Sequence, residues 1–193
     1  MAIFAVRVRA GETANWGALR RRVTIAGDPT QVRAGDPPTD LARMVALRGV
    51  RPIEFPEMIP ISPKLSIMRD ELTVGLFKQL MEGYAIEGHN ADQLIALLAD
   101  DSKAGEALTY VSLIDAREFA KRLSAQTGRK FRVQTEAEWL QAKDNLSGNY
   151  WTWTETKFDK STFVLRHLFS ADLDVSSPEN RYSTGAVRLV EDK

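Results

Sequence analysis

The chain has 193 residues, 44% hydrophobic and 27% charged, which is the balance of an ordinary folded domain. Its 26 basic and 26 acidic residues cancel, so bulk charge favours neither a nucleic-acid nor a membrane partner. The absence of cysteine excludes disulfides and thiolate chemistry. It is also consistent with the cytoplasm, where we expect the protein because Arg7 and Arg9 interrupt an N-terminus too short in apolar length for a signal peptide.

Residues 1–51 stand apart in charge, because they hold nine Arg and four acidic residues while the rest of the chain has a net charge of −5. Their pattern predicts a strand at 3–9, a short helix at 16–23 and a second helix from about 39 to 48. We interpret the segment as a basic extension or small subdomain. It either docks on a larger assembly or is a solvated basic face.

Residues 52–64 are expected to form an extended connector, because prolines are dense there and disfavour the interior of a sheet. The predicted core then runs from 65 to 193. It begins with a strand at 65–69 and a helix at 73–84. A further helix is predicted from a cap at Asn90 to about Asp100.

The clearest local signals lie between residues 111 and 142. Ser112 begins an amphipathic helix that Gly128 ends, and a short strand at 131–133 follows. Thr135 then begins a second helix, with acidic residues in its first turn and Trp139 on the side predicted to be buried. Further short strands are predicted at 150–154, 162–167 and 185–190.

Five segments between residues 65 and 190 resemble, in the same order, those of the formylglycine-generating enzyme (sulfatase-modifying factor) family. Val-Ser-Leu-Ile-Asp-Ala at 111–116 is similar to that family's Val-Ser-Trp-x-Asp-Ala. Arg-Val-Gln-Thr-Glu-Ala-Glu-Trp at 132–139 is similar to its Arg-Leu-Pro-Thr-Glu-Ala-Glu-Trp. The remaining matches are 70–77, 148–154, and 163–166 together with 180–188. The resemblance implies an α+β, C-type-lectin-like domain with twisted antiparallel strands, flanking helices and much irregular loop.

The departures from the family pattern bear on activity. The family's oxidase uses a cysteine pair near the C-terminus to hold copper, and this chain has no cysteine. The family's Glu between the two tryptophans is Thr152 here, which weakens the inference of a calcium site because calcium favours carboxylate oxygens. We therefore expect no formylglycine-generating activity and no cofactor. The chain is interpreted as a non-catalytic binding or scaffold protein with a protein partner.

The ligand surface is predicted on residues 167–184, read as loop, with residues from the strand near Trp151 beside it. Variable proteins of diversity-generating retroelements use the same fold and display ligand contacts on this C-terminal region, which 177–185 resembles. Because Trp151 and Trp153 alternate toward the core, their neighbours should face outward. The candidate binding residues are Tyr150, Thr152, His167, Asp172, Asp174, Asn180, Arg181 and Tyr182. Truncating Arg181 and Tyr182 is expected to weaken binding without loss of stability.

Two alternatives stay open from the residues alone. One is a divergent oxidase or hydrolase that uses His167 with Asp172 or Asp174. The other is calcium binding by Asp172, Asp174 and Glu179, although solvated loop carboxylates are the simpler interpretation. The oligomeric state is not indicated by any pattern.

Overall fold

The computed structural model describes residues 55–193, so the elements predicted at 3–9, 16–23 and 39–48 lie outside the described residues. The helices are α1 (Val74–Leu80), α2 (Ala91–Ala99), α3 (Leu113–Thr127) and α4 (Glu136–Ala142). The strands are β1 (Met58–Ser62), β2 (Leu65–Met68), β3 (Lys130–Val133), β4 (Trp151–Lys157), β5 (Phe163–Arg166), β6 (Leu173–Ser176), β7 (Gly185–Ala186) and β8 (Leu189–Asp192). None of these helices has the length and apolar character that crossing a bilayer requires.

The strands form two four-stranded sheets, in the orders β1-β2-β8-β3 and β6-β5-β4-β7. All pairs are antiparallel except β4 with β7. The chain leaves one sheet after Ala186 and enters the other at Leu189, so the single strand expected at 185–190 is two strands in different sheets. Only 185–186 shares a sheet with 163–166.

Strand β1 lies inside the stretch that the sequence predicted as an extended connector. It pairs with β2 and forms an edge of its sheet, with Pro60 opposite Ser66. An edge strand tolerates proline because the missing N–H need not bond to a neighbour. The connector therefore contributes a strand to the sheet.

Helix α3 confirms the strongest sequence prediction. Ser112 and Asp115 form a capping box, and Gly128 ends the helix in the left-handed region at φ 70°. The predicted apolar face is buried, comprising Leu113, Ala116, Phe119, Ala120 and Leu123. Thr135 and Glu138 form a second capping box at the start of α4.

Two tryptophan side chains lie in the interior of the domain and a third lies at the margin of its core. Trp139 and Trp153 are buried, and the Trp153 indole N–H donates to the Val111 carbonyl at 2.9 Å. Trp151 packs against the same core but is only partly buried. Trp151 therefore lies at the rim of the core, and Trp139 and Trp153 lie within it.

Arg188 fixes the loop before β4 from inside the protein. Its guanidinium lies 2.7 Å from Glu71 Oε1 and donates hydrogen bonds to the carbonyls of Arg69 and Ser147. Both charged side chains are buried, and burial lowers the pKa of the Arg188 guanidinium while neighbouring carboxylates oppose that shift. Gly148 fits beside this pair only because it has no Cβ, since a Cβ would overlap the Glu71 carboxylate.

We predict that Gly148→Ala destabilises the domain more than Gly83→Ala does. Both glycines have positive φ, 114° and 73°, but a Cβ at Gly83 meets open space. The backbone penalty alone is about 1–2 kcal/mol, and the overlap with Glu71 should add at least about 2 kcal/mol to it. Urea unfolding of the two variants measures the difference. Equal losses would show that the Glu71 carboxylate does not constrain this loop.

Candidate functional site

The loop between β5 and β6 carries an exposed aromatic side chain. Phe169 is 79% exposed, and its ring lies 5.9 Å from that of His167. The His167 ring in turn lies 5.3 Å from Trp151 at the rim of the core. We call these three residues the aromatic ladder, because tilted and edge-to-face ring contacts connect the rim of the core to solvent.

Both ring nitrogens of His167 contact the backbone. Nδ1 accepts a hydrogen bond from the Phe169 N–H at 3.2 Å, and Nε2 lies 3.3 Å from the Asn149 carbonyl oxygen. A neutral ring with its proton on Nε2 satisfies both contacts. The structure shows no hydrogen bond between His167 and Asp172 or Asp174 among the described residues, so the pairing required by the divergent-enzyme alternative is not formed.

Arg166 connects the loop that carries Phe169 to helix α4. Its Nε lies 2.7 Å from Glu136 Oε1, at the first position of that helix. Its Nη1 donates to the carbonyls of Ala171 and Asp172, both at 3.3 Å. One guanidinium therefore joins the helix start to the far side of the loop that displays Phe169.

Arg181 makes a similar connection for the next loop. It is 3% exposed and pairs twice with Asp115, Nε to Oδ2 and Nη2 to Oδ1, at 2.8 Å each. Its Nη1 donates to the carbonyls of Glu87 and His89 at 2.7 and 3.1 Å. The expectation that Arg181 is an exposed ligand contact is therefore wrong. A buried carboxylate 66 positions earlier in the sequence draws the guanidinium inward.

Thr152 is the second correction, because it is 1% exposed and donates its hydroxyl to the Arg166 carbonyl at 3.1 Å. Alternation places it opposite Trp151 and Trp153 as predicted, but α4 packs on that face of β4 and covers it. A buried hydroxyl already bonded to a carbonyl does not replace the carboxylate of the family's calcium site. Thr152 therefore supplies no carboxylate ligand at this position.

The other candidate residues divide between half-buried and exposed positions. Asn180 Nδ2 and the Tyr182 hydroxyl meet at 3.0 Å, and both bond to Ser176 Oγ. Tyr150 is half-buried, whereas Asp172 and Asp174 are exposed. Phe169 was missed in the sequence analysis, although an apolar aromatic in a loop between two strands was a signal that could have identified it.

Two shallow cavities border these loops. One, of about 250 Å³, is lined by Leu146, Gly148, Leu168 and Phe169 together with Lys143 and Asp144. The other, of about 220 Å³, lies over the Arg181–Asp115 pair and includes Tyr84. Within residues 55–193, no group of three or more histidine, aspartate or glutamate side chains is arranged to hold a metal ion.

The model of the sulfatase-modifying factor enzyme 1-like domain matches residues 17–188 of the sequence. The chain belongs to this family. Its match begins upstream of the predicted core boundary at residue 65, inside the basic segment, whose separation from the core stays a prediction. No curated protein matches the sequence.

Three solved structures are similar to this sulfatase-modifying-factor-like chain, and each match covers 67% of this chain. CarF is 18% identical with a TM-score of 0.51, over 86% of its own chain. PvdO from Pseudomonas aeruginosa is 13% identical with a TM-score of 0.50, and the match covers 80% of the PvdO chain. Treponema denticola variable protein 1 is 13% identical with a TM-score of 0.46, and the match covers 84% of that chain. The domain has the α+β, C-type-lectin-like fold that the resemblance implied.

We predict that Arg181→Ala lowers the free energy of unfolding by about 3–5 kcal/mol, because it removes the guanidinium that pairs with the Asp115 carboxylate in the interior. This replaces the expectation that truncation at Arg181 is neutral for stability. Lys121→Ala is the matched control, since Lys121 pairs with Glu118 in solvent and should contribute less than about 1 kcal/mol. Urea unfolding of both variants gives the comparison. A loss at Arg181 no larger than at Lys121 would contradict the account.

A second prediction concerns Tyr84, whose hydroxyl donates to Asp115 Oδ1 at 3.0 Å. Burial and the adjacent Asp115 carboxylate raise the pKa of Tyr84 from 10.0 to about 12. Because the folded pKa exceeds the unfolded one, this stabilisation is fully present below pH 10 and is lost as the pH rises through about 12. The difference in unfolding free energy between wild type and Tyr84→Phe should shrink over that interval. A constant difference would show that Tyr84 is not buried against Asp115.

Proposed function

We propose that this chain is a non-catalytic binding module that presents the loop surface, defined as residues 167–174 with the adjoining cavity, to a protein partner. The observation that carries the proposal is Phe169, a large apolar side chain that is 79% exposed at the end of the aromatic ladder. Exposed aromatics on loops are the residue type that dominates binding energy at protein interfaces. Of the ligand surface predicted at residues 167–184, the proposal keeps residues 167–174.

Burial of Phe169 by a partner would release a substantial hydrophobic free energy. Covering a phenylalanine side chain contributes about 1.5–3 kcal/mol. The neighbouring cavity, with Leu146 and Leu168 in its wall, offers space for an apolar group of the partner. An anchor beside a small pocket is the usual arrangement at the centre of an interface.

The loop surface is also held in place before any partner arrives. Arg166 donates to the carbonyls of Ala171 and Asp172, and the His167 ring accepts a hydrogen bond from the Phe169 N–H. Ordering a loop on binding costs conformational entropy, and a loop that is already ordered avoids that cost. This rigidity supports recognition by a preformed surface.

The chemistry of the described residues supports a role without catalysis. The chain has no cysteine for the family's copper-dependent oxidation, and the nitrogens of His167 contact backbone groups. The buried charges of Arg181, Asp115 and Arg188 form structural ion pairs. Docking through the basic segment 1–51 is the alternative, and its nine arginines are the observation that favours it.

The test is a pull-down in which the immobilised protein is wild type or a variant that lacks one of two exposed phenylalanines. Phe158, 60% exposed, follows β4 and so lies about 20 Å along that strand from Trp151. We expect wild type and Phe158→Ala to retain one protein from a lysate of the source organism, and Phe169→Ala to retain it at least tenfold less, by quantitative mass spectrometry. Melting temperatures should be unchanged in both variants, because neither side chain is buried.

The outcomes separate the two surfaces. Equal retention by Phe169→Ala, or no retained protein at all, would contradict the proposal. Loss of retention by Arg20→Glu with Arg21→Glu, with Phe169→Ala binding normally, would assign the interaction to the basic segment instead.

A further inference from the structure

Acidic residues predominate near Phe169. Asp172 and Asp174 are exposed in the same loop and at the start of β6, and neither carboxylate forms an ion pair among residues 55–193. Asp144 is also exposed and lines the cavity beside Phe169, together with Lys143. Three carboxylates without an ion pair therefore lie on the loop surface or in the wall of its cavity.

The cations in the same region are already engaged. Arg166 is paired with Glu136 and donates to two loop carbonyls. The Lys143 ammonium lies 5.7 Å above the ring of Trp139. Glu136 balances the charge of Arg166, and the single ammonium of Lys143 does not balance three carboxylates, so the loop surface has a negative net charge.

A second exposed apolar residue lies between two of these aspartates in the sequence. Leu173, 41% exposed, follows Asp172 and precedes Asp174 at the start of β6. Strand β6 is the edge of its sheet, so one of its hydrogen-bonding sides has no neighbouring strand among the described residues. The loop surface thus combines two exposed apolar groups, Phe169 and Leu173, with exposed aspartates.

We propose that the partner binds here through a cationic segment in which lysine or arginine side chains flank an apolar or aromatic residue. The apolar residue packs on Phe169 and Leu173, and the basic groups pair with Asp172, Asp174 and Asp144. This inference rests on the proposed function and names the chemistry of its partner. An acidic segment or a nucleic acid would instead place like charges against the three carboxylates.

Charge pairs of this kind have a measurable signature. They are close to solvent, so salt screens them, with a Debye length of about 10 Å at 0.1 M. Removing charges at the rim mainly lowers the association rate constant. Removing the central aromatic ring mainly raises the dissociation rate constant. Salt dependence and the effect of Phe169 are therefore separate readouts.

The experiment uses the full chain and a library of random twelve-residue peptides displayed on phage. We expect the enriched peptides to carry lysine or arginine beside an apolar residue. A fluorescein-labelled copy of the most enriched peptide is then measured by fluorescence anisotropy. Its Kd should rise at least fivefold between 50 and 300 mM NaCl.

Matched variants then assign the site. Asp172→Asn with Asp174→Asn should raise the Kd at 50 mM NaCl at least fivefold, because asparagine keeps the shape and removes the charge. Glu82→Gln with Glu106→Gln removes two exposed charges elsewhere and should leave the Kd within twofold. Phe169→Ala should abolish binding, and Phe158→Ala should not.

Each failure points to a different step. If Phe169→Ala abolishes binding but the aspartate variant and salt have no effect, the loop surface is the site and the cationic partner is wrong. If neither variant changes binding, the proposed function fails as well. Enrichment of acidic peptides, or of none, overturns the inference. So does self-association of the chain through this surface, detected as Phe169-dependent light scattering without peptide.

Discussion

Three arginine side chains, which we call the arginine clamps, bond to the backbone of the irregular part of this domain. Arg166, Arg181 and Arg188 each pair with a carboxylate and each donate to two backbone carbonyls outside the regular elements. Burying a guanidinium is costly unless its charge and its donors are satisfied. The hydrogen bonds from each guanidinium to loop carbonyls therefore fix the path of a loop, and a loop that moved would leave N–H donors of the arginine without an acceptor. Glu136 and Asp115 lie in the first turns of α4 and α3, so two of the clamps transmit the position of a helix start to a loop.

The candidate site is a consequence of this arrangement. The loop that carries Phe169 has no regular structure of its own, yet the side chains of Arg166 and His167 form hydrogen bonds with its backbone at three positions. The fold is that of the sulfatase-modifying-factor-like family, while the oxidase cysteines are absent from the sequence. A rigid, exposed aromatic with acidic neighbours suits recognition better than bond-breaking chemistry, and that contrast underlies the proposed function.

The sequence predicted what local chemistry determines. The capping boxes at Ser112 and Thr135 and the left-handed Gly128 depend on residues within a few positions, so α3 and α4 were predicted close to their observed bounds. Strand β6 was missed, because its four residues include Asp174 and its order comes from pairing with β5. Arg181 was predicted to be exposed because most loop arginines are, and its burial depends on Asp115 in a distant segment. Phe169 could have been proposed from its place in a predicted loop, but its exposure depends on the packing of residues distant in the sequence.

Amide hydrogen exchange in an Arg166→Lys variant tests the central claim, that the clamps fix the site, most directly. Lysine keeps the charge but cannot bond to Glu136 and to two carbonyls in the same planar geometry. The account predicts that the amides of residues 168–172 exchange at least about tenfold faster than in wild type, while those of α3 keep their protection. Unchanged exchange in 168–172 would contradict it, because the loop would then hold its conformation without the arginine.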